Sequence, residues 1–101
     1  MKNIVLLCNM GMSTGMMVKK MKEEAAKEGY QYEINAYSVE QLDKVSKDAD
    51  CILIGPQIKF KLQEIKSKCE GIPVKDISMM DYGMMNGAAV LKMARELMNN
   101  L

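Results

Sequence analysis

Cys8-Asn9-Met10-Gly11-Met12-Ser13-Thr14-Gly15 sets a thiol, two glycines, two hydroxyls and a helix start in one short span. Glycine lets the main chain turn tightly and approach an anion, and serine and threonine hydroxyls can donate to its oxygens. Where such a span joins a strand to a helix, successive N–H groups and the positive end of the helix dipole favour a phosphate. They also favour a thiolate beside it. The chemistry this predicts is transfer of a phosphoryl group to Cys8, with Asn9, Met10, Gly11, Met12, Ser13, Thr14 and Gly15 as the phosphate-binding residues. The competing assignments are inert packing for Cys8, since free cysteines are often buried, and plain helix caps for Ser13 and Thr14.

What the span lacks narrows the chemistry. The chain contains no histidine, which removes cysteine–histidine hydrolases and any mechanism needing an imidazole of its own. A cysteine phosphatase with a loop of this kind sets an arginine six residues after the nucleophile to clamp the phosphate; that position here is Thr14. No aspartate in the loop is available to protonate a leaving group. A phosphocysteine formed here should wait for a partner to bring the acceptor, which describes a carrier better than a hydrolase. The hydrolase alternative is a phosphatase or arsenate reductase of the low-molecular-weight type. A non-catalytic receiver or flavodoxin-like module is the third candidate. A receiver would need an acidic pair where Cys8-Asn9 stands, and Tyr82 alone is thin support for a flavin.

The elements that must hold this loop can be read from apolar spacing. Asn3 to Leu7 is a continuous aliphatic run, the mark of a strand covered on both faces, and it leads directly into Cys8. Residues Asn9 to Thr14 form the loop, and a helix follows with Met17, Val18, Met21 and Ala25 on one stripe, ended by Gly29. Tyr30 to Tyr37 alternates as an edge strand does, and Ser38 with Gln41 fits a capping box for a short helix using Val39, Leu42 and Val45. Cys51 to Ile54 is a second aliphatic strand, stopped by Gly55-Pro56. A helix then places Ile58, Leu62, Ile65 and Cys69 on one face. Val74 to Ile77 is a fourth strand, and a helix from about Gly87 to Leu101 completes the chain. The fold predicted is a single three-layer α/β domain over residues 1–101, a four-stranded parallel sheet in the order 2-1-3-4 with helices on both faces. Ligands of such sheets sit beyond the carboxyl ends of the strands where the order reverses, which is where Cys8 falls, with Gly55, Pro56 and Gln57 as a neighbouring wall.

Bulk composition agrees with one small globular domain: 101 residues, 49% apolar and 27% charged. A net charge of +1 gives no global field for nucleic acid. No apolar run approaches the ~18 residues of a membrane span, and the N-terminus lacks the pattern of a secretory signal, so a cytoplasmic chain without direct membrane insertion is expected. Three cysteines without a C-x-x-C pair argue for reduced thiols, with Cys51 and Cys69 in the core. Neither a metal nor a cofactor is expected. Of the twelve methionines, Met10 and Met12 are expected to be exposed, while Met79, Met84 and Met85 fit better as core filling than as an adaptable docking surface.

Three ordered blocks together carry a resemblance: Cys8 to Thr14 with Val18-Lys19-Lys20-Met21, then Gly55-Pro56-Gln57-Ile58, then Asp81-Tyr82-Gly83 with Asn86-Gly87 and Val90-Leu91. Along nearly its whole length the chain resembles the IIB component of the bacterial phosphoenolpyruvate-dependent sugar phosphotransferase system, in the lactose/cellobiose/chitobiose class. The resemblance implies that Cys8 accepts a phosphoryl group from a phosphohistidine of the IIA component. Cys8 would then pass it to a sugar, a β-linked disaccharide such as cellobiose, chitobiose or lactose, held by the membrane IIC component. It implies a sugar phosphotransferase that visits the inner face of the membrane through IIC. Nothing in the sequence demands more than a monomer. Gly15, where such loops often carry serine, and Asn9, where a small residue is common, are the departures from the pattern.

Overall fold

A computed structural model of the chain describes residues 1–9 and 12–99, and of Met12 and Ser13 the main chain only. Four strands, β1 (Lys2–Cys8), β2 (Tyr32–Ser38), β3 (Cys51–Ile54) and β4 (Val74–Asp76), pair in parallel in the order β2-β1-β3-β4. The two continuous aliphatic runs, in β1 and β3, lie in the central strands, where a sheet covered on both sides leaves no face to water. Ile4, paired with Ile34 on one side and Cys51 on the other, is fully buried, as are Val5, Leu7 and all of β3.

Side chains alternate across the sheet, so each strand feeds two cores. Ile4, Leu6, Ile34, Cys51 and Leu53 meet α1 (Met12–Glu28) and α5 (Gly87–Leu97) through Met17, Met21, Val90, Leu91 and Ala94. Val5, Leu7, Ile52 and Ile54 meet Leu42 of α2 (Leu42–Val45) and Ile65 of α3 (Leu62–Lys68) on the opposite face. This is the expected three-layer arrangement and strand order. The alternation read in β2 also holds, with Tyr32, Ile34 and Ala36 turned to the first core and Tyr37 to the second. The capping box forms: the Ser38 side chain accepts from Glu40 N–H and the Gln41 side chain accepts from Ser38 N–H.

The differences are local and have physical causes. Helix α1 starts at Met12, so Ser13 and Thr14 lie within its first turn and the connection from β1 is shorter than the expected loop over 9–14. The single helix expected over Ile58 to Cys69 is instead a 3₁₀ segment, Pro56–Lys61, followed by α3. Ile58, with φ −117°, turns the chain out of helical geometry, and its side chain is buried in the second core. Gly29, at φ +80°, and Tyr30 belong to the turn after α1, and β2 begins only at Tyr32. Helix α5 ends at Leu97, and Leu101 lies outside the described residues.

One further helix, α4 (Met79–Gly83), has an apolar surface too small to announce itself by periodicity. Its cap is nevertheless written in the sequence, because the Ser78 side chain accepts from Asp81 N–H three residues on. This helix also reverses the expectation for two methionines. Met79 and Met84 are 80% and 73% exposed, since α4 buries one side chain, Tyr82, and turns the rest outward; of the three, Met85 packs against the core. Asn86 then caps α5 by accepting from Ala89 N–H.

Helices α1 and α5 approach closely at one point. A methyl group added to Gly87 would lie 2.6 Å from the Lys20 main-chain carbon and 2.8 Å from its carbonyl oxygen, so the absence of a side chain is what sets the separation of the two helices.

Candidate functional site

All four strands are parallel, so four connections leave the carboxyl end of the sheet: from β1 into α1, from β2 into the turn at Val39–Gln41, from β3 into the 3₁₀ segment, and from β4 into α4. Strand order reverses between β1 and β3, so the connections leaving their ends diverge and leave the crevice characteristic of open parallel sheets. Cys8 is the last residue of β1. It sits opposite Ser38 of β2, is 7% exposed, and its S–H donates to the Tyr37 carbonyl at 3.8 Å. The thiol is thus held at the rim of the sheet, and a sulfur hydrogen bond of this length restrains it weakly.

Asn9 follows as an exposed bend residue. Met10 and Gly11 lie outside the described residues, as do the side chains of Met12 and Ser13, so the expected exposure of Met10 and Met12 falls there too. Thr14, in the first turn of α1, is 3% exposed, and its hydroxyl lies 2.9 Å from the Tyr82 hydroxyl in a buried hydrogen bond. Gly15 lies in the same turn of α1, where an added methyl group would meet no atom within 4 Å. Of the wall expected after β3, Gly55 lies beside the end of β1, its N–H donating to the Leu7 carbonyl at 3.0 Å, one residue before the thiol. The same Gly55 has the Tyr82 ring beside it, at 3.9 Å from where a methyl group would stand.

Tyr82 is the residue that sequence reasoning did not assign to this site. The Ser78-x-x-Asp81 spacing could have given its helix. No local pattern could have given its partner, because Thr14 and Tyr82 are 68 residues apart.

The other two thiols are of a different kind. Cys51 is fully buried in β3, and burial, helped by the Asp50 carboxylate, pushes its thiol up to about 12. Burial is also the chief cause that raises the Cys69 thiol, against a hydrogen bond from Ser46 that lowers it. At pH 7 the Cys51 thiolate fraction is about 10⁻⁵, which makes it inert as a nucleophile. A raised value in the fold also means that the unfolded chain ionises first, so the Cys51 contribution to stability is complete below pH 9 and falls as the pH rises toward 12. The stability deficit of a Cys51→Ala variant should therefore shrink by up to about 1.4 kcal/mol over the first pH unit above the ordinary thiol value, measured by urea unfolding of both proteins. A deficit independent of pH would show that the thiol does not titrate as its burial requires.

Among the described residues, no group of three His, Cys, Asp or Glu side chains is placed to hold a metal, and no helix is long and apolar enough to cross a membrane.

Residues 3–93 match the family model described as the lactose/cellobiose-specific IIB subunit of the sugar phosphotransferase (PTS) system. The chain is 44% identical over 105 aligned residues to the galactose-specific EIIB component of Lactococcus lactis subsp. cremoris, covering 97% of each chain. It is 40% identical over 102 residues to the oligo-beta-mannoside-specific EIIB component of Bacillus subtilis, covering 99% of each. The solution structure of the cellobiose-specific phosphotransferase IIB component of Borrelia burgdorferi superposes with a TM-score of 0.83 at 35% identity, covering 98% of this chain and 93% of that one.

Proposed function

The chain belongs to the lactose/cellobiose-specific IIB family of the sugar phosphotransferase system, and from that premise we propose that Cys8 is the residue on which its phosphoryl group travels. A IIB component is a phosphoryl carrier and sugar phosphotransferase that works with IIA and IIC partners. The observation that carries the assignment of Cys8 is its position: of the three cysteines it alone ends a central strand at the switch point, while Cys51 and Cys69 are packed into the two cores.

In the first step a lone pair of Cys8 Sγ attacks the phosphorus of a phosphohistidine on IIA. The N–P bond breaks with its electrons left on the imidazole, and the thiol proton neutralises the ring. In the second step a sugar hydroxyl held by IIC attacks the same phosphorus, the S–P bond breaks, and sulfur leaves as thiolate while the hydroxyl proton passes to an acceptor on IIC or to water. Asn9, Met10, Gly11, Met12, Ser13, Thr14 and Gly15 form the phosphate-binding span in this proposal, with the first-turn N–H groups of α1 meeting the charge. Gly15 has no neighbour within 4 Å of an added methyl group, so its part is that of open backbone and not of a packed turn.

The hydrolase alternative finds no support in the site. Position 14, where a phosphatase would set an arginine, is a buried threonine engaged with Tyr82. The sugar in this reading is a β-linked disaccharide chosen by IIC, in line with the cellobiose-specific relative; the relatives named for galactose and for oligo-beta-mannosides use other sugars on a similar IIB chain. One domain over 1–101, acting as a monomer in the cytoplasm and visiting the membrane only through IIC, suffices for the relay. Met79, Met80 and Met84, all largely exposed on or beside α4 at the end of the sheet that carries Cys8, are the apolar surface that incoming IIA would meet.

Incubation with ³²P-labelled phospho-IIA should place one phosphoryl group per chain on sulfur, and prior alkylation of Cys8 should block it. Label taken up equally by a Cys8→Ser variant would overturn the assignment.

A further inference from the structure

We propose that Tyr82 is a positioning residue for phosphoryl transfer, acting through Thr14 to fix the first turn of α1 beside Cys8. The inference rests on the assignment of Cys8 above. It starts from the buried 2.9 Å contact between the Thr14 and Tyr82 hydroxyls, each on a residue less than a tenth exposed. A threonine inside a helix ordinarily turns its hydroxyl back to a carbonyl one turn earlier. Here the hydroxyl meets a phenol carried by another helix, so the first turn of α1 is tied to a second element across the site and not only to itself.

That second element is itself held. Tyr82 N–H donates to the Ser78 carbonyl at 3.0 Å and its own carbonyl accepts from Met85 N–H at 3.1 Å, while the Ser78 side chain caps the helix start. The Tyr82 ring also stands beside Gly55, whose N–H is bonded to the Leu7 carbonyl. One side chain therefore links the start of α1, the residue after β3 and α4, three segments at the end of the sheet that carries Cys8. Packing alone would ask only for a phenyl ring. The hydroxyl is needed because a buried threonine hydroxyl must be paired, and in a low-dielectric setting that bond is directional as well as satisfying. Amides that meet a developing charge act by being fixed before the charge arrives, so a turn free to rock loses rate even when it still binds.

The test is single-turnover transfer from ³²P-phospho-IIA, measured by rapid quench as a function of donor concentration, on Tyr82→Phe, Thr14→Val, Thr14→Ser and the Tyr82→Phe/Thr14→Val pair. Circular dichroism gives the folded fraction of each. Tyr82→Phe and Thr14→Val should each lower the limiting rate per folded chain about tenfold or more, with half-saturation by phospho-IIA unchanged. Thr14→Ser keeps the hydroxyl and should recover most of the rate that Thr14→Val loses. The paired variant should be no slower than the slower single one, because both remove the same bond. A parental limiting rate in Tyr82→Phe, even with a lower melting temperature, would reduce the bond to a structural one and overturn the proposal, as would multiplying losses in the pair. Cys8→Ser is run alongside: label on that variant defeats the assignment of Cys8, whereas a silent Cys8→Ser with a fully active Tyr82→Phe defeats only the role of Tyr82.

Discussion

Cys8→Ser should fold as the parent does and fail to carry phosphate, with transfer from phospho-IIA down by at least about 10⁴-fold. The expectation of a normal fold follows from what the thiol does structurally. Its one described hydrogen bond, to the Tyr37 carbonyl at 3.8 Å, is a weak sulfur contact, and its loss at this rim position should cost no more than about 1 kcal/mol. The loss of transfer follows from the nucleophile. Sulfur is intrinsically nucleophilic, whereas an alcohol needs a neighbouring base to lose its proton. This chain has no histidine to act as one. Rapid-quench transfer beside a thermal melt separates the two effects. A Cys8→Ser protein that transfers within about tenfold of the parent would move the chemistry to another group.

Gly87→Ala should lower stability by about 1–3 kcal/mol while Gly15→Ala raises it by about 0.5–1 kcal/mol, although both glycines lie in helices and neither has a positive φ. Propensity alone predicts a gain at each, because alanine loses less backbone freedom on folding. Space decides the sign. At Gly15 an added methyl group meets nothing within 4 Å, so the gain stands. At Gly87 it meets the Lys20 main chain at 2.6 to 2.8 Å, and backbone in the middle of a helix cannot step aside as the end of a side chain can. Helices α1 and α5 would have to separate, loosening the core of Met17, Met21, Val90, Leu91 and Ala94. For a domain of this size each kcal/mol moves the melting temperature by about 4–8 °C, so opposite shifts in the two variants are easily read. A stabilised Gly87→Ala would mean that the two helices do not touch there in solution.

The layers of this fold were legible because the strongest signals in the sequence are also the most buried residues. Unbroken aliphatic runs such as Ile4 to Leu7 and Cys51 to Ile54 fit central strands, and with right-handed crossovers the edge-like character of β2 leaves little choice of sheet order. Helix α4 was hidden because five residues complete little more than one turn and bury only Tyr82, leaving no repeat to count. The exposure of Met79 and Met84 was hidden for a related reason. Methionine fits a core and a surface almost equally well, so its side is set by the turn that precedes it and not by its own hydropathy. At the site, Cys8 and the wall at Gly55 could be placed by chain order alone. The Thr14–Tyr82 bond could not, since it joins two elements whose meeting is decided by packing over 68 residues.

The close passage of Gly87 over Lys20 bears on timing as well as on stability. It meets α1 near its middle, away from the Thr14 end, so a swing of the helix would have to break contacts at two separated points. A relay built on such a helix has no internal clock. Its two hand-overs should be paced by how often donor and acceptor arrive and how long they stay, so solvent viscosity and partner concentration, and not a rearrangement of this chain, should set the throughput of the pathway.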